Sequence, residues 1–182
     1  MAVLRRLRYS VAMSLDGYIA GPDGEYDWIV MDPAIDFAAL FAEFDTAVMG
    51  RRTFEVALRE GGGGAMPGID VIVFSRTLRP DDYPAVTVTA ADPAESVARL
   101  KEKPGKDIWL FGGGVLFRTL ADARLVDTVE VGIMPVLLGE GIPLLPAGAS
   151  LKLRLTKSDV LASGIVMVSY AVLEGTSRRQ RM

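Results

Sequence analysis

The sequence predicts an α/β chain: a mixed sheet of about eight strands with flanking helices, closed by a C-terminal antiparallel hairpin. Three observations carry this. First, short apolar or β-branched runs alternate with amphipathic helical patterns as far as Leu120, and helical crossovers between strands imply a largely parallel centre. Second, Asp107-Ile-Trp-Leu-Phe-Gly-Gly-Gly-Val-Leu-Phe-Arg118 runs from an apolar strand through three glycines into helical spacing at Val115, Leu116 and Leu120. Third, Leu151 to Leu155 and Ile165 to Leu173 flank Ser163-Gly164, the pattern of an antiparallel hairpin at the sheet edge. No internal repeat or linker divides the chain. One domain is expected over residues 1–175, with residues 176–182 a polar, basic, disordered tail.

Leu4 to Leu15 alternates and then turns apolar, as a strand entering a core does. Asp16-Gly17 and Gly21-Pro22-Asp23-Gly24 are turn chemistry around Tyr18-Ile19-Ala20, giving a loop able to cover a pocket. Asp32-Pro33 reads as an N-cap and first-turn proline, opening a helix with Phe37, Leu40, Phe41 and Phe44 on one stripe and Asp36 on its flank. Asp45 to Met49 is a strand, Gly50-Arg51-Arg52-Thr53 turns it into a second helix, Phe54 to Arg59, and Gly61 to Gly64 form a loop without a helix. Val71 to Phe74 is a buried strand ended by Ser75-Arg76, and Ala85 to Thr89 is another strand. Asp92-Pro93-Ala94-Glu95 is a capping-box start for a helix that Pro104-Gly105 stops. After the glycine turn, Leu125 to Leu138 reads as a long strand broken by Pro135.

Composition removes several chemistries. With 182 residues the chain is long enough for a sizeable core. It has no cysteine and no histidine, which excludes disulfides, thiolate catalysis, a Ser-His-Asp triad and histidine-ligated zinc. Any acid–base step must use a carboxylate, lysine, tyrosine or water. A net charge of −3 argues against a nucleic-acid surface. No run approaches the ~20 apolar residues of a membrane span, and Met1 to Tyr9 lacks the apolar core of a signal peptide, so a cytoplasmic protein is expected.

The chemistry concentrates at strand ends. In an open α/β sheet, ligands sit where strand-to-helix turns gather at the C-terminal rim. Gly112, Gly113, Gly114 and Val115 can present backbone N–H groups and a helix N-terminus to an anion. The same glycines equally suit a bare tight turn, and Phe117 stands where the third glycine of a GxGxxG fingerprint would fall. Gly50, Arg51, Arg52 and Thr53 offer a second turn with two guanidinium forks suited to phosphate, and Ser75 and Arg76 add a hydroxyl and a cation at a third strand end. Two turns and an extra arginine suit an elongated, multiply phosphorylated ligand.

Four segments in order resemble the dihydrofolate reductase superfamily: Val11-Ala-Met-Ser-Leu-Asp-Gly-Tyr-Ile-Ala20, Val48-Met-Gly-Arg-Arg-Thr-Phe-Glu55, Pro67-Gly-Ile-Asp-Val-Ile-Val-Phe-Ser75 and Ile108-Trp-Leu-Phe-Gly-Gly-Gly-Val-Leu-Phe117. Ser14 to Ile19 and Pro135-Val-Leu-Leu-Gly-Glu-Gly-Ile-Pro-Leu-Leu145 are more similar to one branch, the reductase domain of bifunctional riboflavin biosynthesis proteins and its stand-alone bacterial relatives. The resemblance implies NADPH stretched across the strand ends. Ala12 and Ile19 would flank the nicotinamide, Gly50, Arg51, Arg52 and Thr53 would hold the pyrophosphate and 2′-phosphate, Ser75 and Arg76 would lie by the adenosine, and Gly112 to Val115 would cradle the pyrophosphate from the other side. It implies hydride transfer to a small pteridine or aminopyrimidine, like that of 5-amino-6-(5-phosphoribosylamino)uracil reductase, and a homodimer. The acidic residue that meets the pterin in dihydrofolate reductases matches Asp36 counting back from Gly50, and Asp32 counting forward from Trp28. With no deaminase half in the sequence, a stand-alone reductase is expected. Dihydrofolate reduction, or ligand binding without turnover, are the alternatives on the same fold.

Overall fold

The computed structural model describes residues 5–173. The expected tail at 176–182 lies outside them. The described chain begins with β1 (Leu7–Ser14) and the short β2 (Tyr18–Ala20), followed by the five-residue α1 (Phe37–Phe41). Then come β3 (Phe44–Gly50), α2 (Arg51–Arg59), β4 (Asp70–Phe74), β5 (Thr87–Thr89), α3 (Pro93–Lys101), β6 (Asp107–Gly112) and α4 (Gly114–Asp122). It closes with β7 (Thr128–Met134), β8 (Ile142–Pro143), β9 (Leu153–Val160) and β10 (Val166–Val172). Eight strands form one sheet in the order β5-β4-β3-β6-β1-β7-β10-β9, while β2 and β8 pair separately. The six strands from β5 to β7 run parallel, and β10 is antiparallel to both of its neighbours. All six parallel strands therefore end on one rim.

Alternation along the central strands sends side chains to two unlike faces. On one face, Leu7, Tyr9, Val48, Ile108, Leu110, Val129 and Val131 pack against Val97 of α3 and Leu116, Phe117 and Leu120 of α4. The Tyr9 and Phe117 rings lie 4.0 Å apart at the centre of this layer. On the other face, α2 puts Phe54 onto Met49, Val71, Val73 and Val88. Beside it Trp109 stacks on Phe44 at 5.4 Å and on Phe41 of α1 at 5.2 Å. Beyond Trp109 the described residues place no helix over this face of β1, β7, β10 and β9, so a shelf of strand surface stays open.

Several expectations need correction. The helix expected over Phe54 to Arg59 begins three residues earlier, at Arg51, directly after Gly50, and the strand expected over Leu125 to Leu138 is confined to Thr128–Met134. The helix expected from Asp32-Pro33 begins at Phe37, because Asp36 is the residue whose carboxylate accepts the N–H three positions on, from Ala39 at 2.9 Å. Asp32 caps only a turn, accepting from the N–H of Ala34 at 2.8 Å. Phe44 continues the apolar stripe in sequence yet starts β3, where Trp109 holds it. The Gly61 to Gly64 loop carries one 3-10 turn, Gly62–Gly64, which glycine permits because φ is positive at each of the three.

Candidate active site

A groove of about 1960 Å³ runs along the C-terminal rim and onto the open shelf. Topology puts it there. The chain leaves β1 for β3 on one side, works outward to β5, and returns to place β6 between β3 and β1. The turns after β1, β3 and β6 thus converge at a switch point, the place where open α/β sheets bind ligands.

Ala12, Ile19, Gly50, Arg51, Arg52, Thr53, Gly112, Gly113, Gly114 and Val115 all line this groove. Ser75 and Arg76 lie in a smaller depression of about 240 Å³, which shares Phe74 and Pro93 with the main groove. The Ser75 hydroxyl is already engaged, accepting from the N–H groups of Thr77 and Leu78. The rim thus brings together the glycine turns and the paired arginines, with the Ser75–Arg76 corner adjoining.

The helix starts at the groove differ from those elsewhere. α1 and α3 are capped by the carboxylates of Asp36 and Asp92. α2 and α4 begin after Gly50 and Gly113 with no side-chain cap. Their first-turn N–H groups open on the groove, and with them the positive ends of two helix dipoles. Arg51 is tied to Glu55 at 3.1 Å across one exposed turn, a pairing of little strength. Arg52 makes no ion pair among the described residues and stands exposed beside it. Gly112 has φ of +140°, and a Cβ at Gly113 would meet the Thr53 hydroxyl at 3.2 Å, so both glycines let the turn sit close against α2.

The two candidate acids are not among the groove's lining residues, although Met31, Ala34, Ile35 and Phe37 beside them are. Asp36 is exposed and occupied with Ala39 N–H; Asp32 is buried; neither lines the groove. Hydrogen bonds from Ser163 and from the Ala34 N–H hold the Asp32 carboxyl below the usual carboxylate range, so it stays ionised at neutral pH.

Charge does reach the floor of the shelf. Arg8 is 7% exposed, lies over the Phe44 ring at 4.7 Å, and grips both oxygens of Glu130 at 2.8 Å. A further bond runs from Arg8 to Glu43, and the side chains of Arg8, Glu43 and Glu130 all line the groove. Burial opposes the Arg8 charge, but the hydrogen bonds to Glu130 and Glu43 outweigh it and push its pKa up. A second structural carboxylate is Asp16. It accepts the Ser14 hydroxyl at 2.6 Å and the Gly139 N–H at 2.7 Å, latching the β1–β2 turn to the segment after β7. Sequence reasoning took Asp16 only as part of a turn and did not single out Arg8 or Glu130. The available signals were a single charge amid the alternation of Thr128–Met134, and an Asp-Gly turn directly after a core strand.

A family model for the RibD C-terminal domain matches residues 5–167, nearly the whole described chain. The chain belongs to the RibD C-terminal domain family. Within its wider set of relatives, the uncharacterized protein YyaP of Bacillus subtilis (strain 168) is 34% identical over 178 residues, covering 91% of this chain and 94% of YyaP. A putative riboflavin biosynthesis protein from Shewanella sp. PV-4, known from its crystal structure, superposes with a TM-score of 0.80 at 28% identity, over 93% of this chain and 99% of that one. The fold is dihydrofolate reductase-like: Enterococcus faecalis dihydrofolate reductase, solved in complex with NADP(H), gives a TM-score of 0.68 at 21% identity, over 93% of this chain and 97% of the reductase. Membership supports a reductase-type domain, and among the described residues no helix is long and apolar enough to cross a membrane.

Proposed function

We propose that this single domain is an NADPH-dependent reductase of a small pteridine- or aminopyrimidine-type molecule, with a reaction similar to that of 5-amino-6-(5-phosphoribosylamino)uracil reductase. One observation carries the reading: both helices that start at the groove lack a side-chain cap, and both starts face the same space. Orphan N–H donors at two helix N-termini on one groove suit a bridging pyrophosphate.

The residues present fit an extended dinucleotide. A Cβ built on Gly50 would meet nothing within 4 Å, so that wall is open to a ligand. Arg51 and Arg52 supply charge for a 2′-phosphate, which favours NADPH over NADH. Ser75 and Arg76 stand at the adjoining corner for the adenosine end. Ala12, small and on β1, and Ile19 on β2 both line the groove and would flank the nicotinamide. When bound, NADPH would supply the hydride for the carbon of a C=N-type bond, leaving as NADP+, while the nitrogen takes up a proton. The protein's part is to orient the two rings and to exclude water from the shelf, where the apolar residues Trp109, Phe111 and Met134 form much of the wall.

Titration of the full chain with NADPH, followed by cofactor fluorescence, tests this. Saturable binding in the micromolar range that weakens with salt and exceeds NADH affinity is the expected result; no binding at high micromolar concentration overturns the reading. A second reading is a module on this fold that binds a nucleotide without turnover. The engagement of Asp32 and Asp36 as local backbone caps, with neither in the groove lining, favours it, and steady NADPH oxidation with an aminopyrimidine or dihydrofolate substrate would eliminate it.

A further inference from the structure

The open shelf carries an ordered polar row. Ser10 on β1 is the register partner of Glu130 on β7, Glu130 pairs with Ser169 on β10, and Ser169 pairs with Lys157 on β9. All four residues line the groove. Register partners point to the same face of a sheet, so these side chains stand side by side across four strands, about 5 Å apart at each step. The next row toward the rim is Ala12, Gly132 and Met167. It is small or flexible and has no charge in those three places.

Glu130 is the chemically distinctive member. Its Oε1 accepts from Arg8 Nε and from the Thr128 hydroxyl, whereas its Oε2 accepts from Arg8 alone. Arg8 therefore fixes the carboxylate in place, and Oε2 keeps acceptor capacity toward the groove. Among the described residues the hydroxyls of Ser10 and Ser169, on either side, have no hydrogen-bond partner. A fixed carboxylate between two free hydroxyls matches a ligand edge with adjacent N–H donors, such as an amino group beside a ring N–H.

Position gives the row its meaning. Two residues along a strand span about 7 Å. Ring recognition at Ser10 and Glu130 would thus leave the far side of a one- or two-ring heterocycle over Gly132, beside Ala12. Gly132 fits such a floor: a Cβ there would crowd the Met167 and Met134 side chains at 3.2 and 3.4 Å.

We infer that Ser10, Glu130 and Ser169 form the substrate-recognition row of this protein, with Glu130 accepting from the N–H edge of an amino-substituted nitrogen heterocycle. The inference rests on the proposed nicotinamide position at Ala12 and deepens that reading.

The test uses the full chain saturated with NADPH and titrated with 5,6-diaminouracil, followed by calorimetry. Wild type is expected to bind it saturably. Glu130→Gln is expected to weaken binding on the order of tenfold or more, the loss typical of a hydrogen bond to a charged group, with NADPH affinity unchanged. Because that variant loosens the partner of buried Arg8, Ser10→Ala and Ser169→Ala are measured as well. Both leave the Arg8–Glu130 pair intact, and each is expected to weaken the probe several-fold. Failure of wild type to bind NADPH would overturn the cofactor reading itself. Normal NADPH binding together with no probe binding by wild type, or equal probe affinity in wild type, S10A and S169A, would overturn the row alone.

Discussion

Gly50 and Gly114 both border the groove, and they are glycines for opposite reasons. Gly50 has φ of −85°, which any residue tolerates, and free space where a side chain would project. Gly114 has no such space, since a Cβ there would meet the backbone oxygen of Pro143 at 2.9 Å. Gly50→Val is expected to cost about 1 kcal/mol or less, the scale of a poorer N-cap, while filling the wall opposite the Gly113 turn. NADPH affinity should then fall tenfold or more. Gly114→Ala must displace a backbone strand and is expected to destabilise by about 1–3 kcal/mol, the cost of overpacking. Urea midpoints beside NADPH titrations check both; a Gly50→Val protein that binds NADPH normally would remove the pyrophosphate from this turn. Arg52 supplies the matching electrostatic test. Arg52→Ala should reduce the preference for NADPH over NADH, seen as converging affinities for the two cofactors.

Among the elements, α1 is one whose start the sequence misplaced. Phe37, Leu40, Phe41 and Phe44 share helical spacing, but Trp109, sixty-odd positions on, claims Phe44 for β3 and leaves α1 with no buried residue. A five-residue helix so placed depends on its cap. Asp36→Ala is expected to cost about 1 kcal/mol of stability with NADPH affinity unchanged, read by urea denaturation and cofactor titration. Where structure follows from neighbouring residues, the sequence was readable. Asp92 does accept from Glu95 N–H at 3.0 Å, as its capping box implied, and the strand–glycine–helix order of Asp107 to Arg118 emerged as β6 and α4. Features made by distant partners were not readable. Arg8 and Glu130 are 122 positions apart, and the β2–β8 pair joins three residues to two, too few to leave a periodic trace. The rim was legible because its turns are local glycine and arginine clusters; the shelf was not, because its row exists only once four strands are in register.

For the whole molecule, the absence of histidine and cysteine sets the response to pH. Ordinary carboxylates titrate near pH 4 and lysine and tyrosine near pH 10, so little in this chain changes charge between about pH 5.5 and 8. Below that window three carboxylates act together. Asp16 is held below its usual range chiefly by the Ser14 hydroxyl and the Gly139 N–H. Asp32 is lowered by Ser163 and Ala34, and Asp107 is lowered by Arg6 and Arg8 against the opposing effect of its burial. Each is more acidic folded than unfolded. The unfolded chain therefore binds more protons as the pH drops past about 4, and stability falls with it; above the unfolded pKa the contribution of all three is complete. The urea midpoint is expected to stay level from about pH 8 to 5.5 and to drop steeply below about pH 4. Asp16→Asn should flatten part of that acid limb, because an amide can no longer gain a proton between the β1–β2 turn and the Leu138–Gly139 backbone. A midpoint that instead changes between pH 6 and 7 would overturn this account, because these three carboxylates are already fully ionised there.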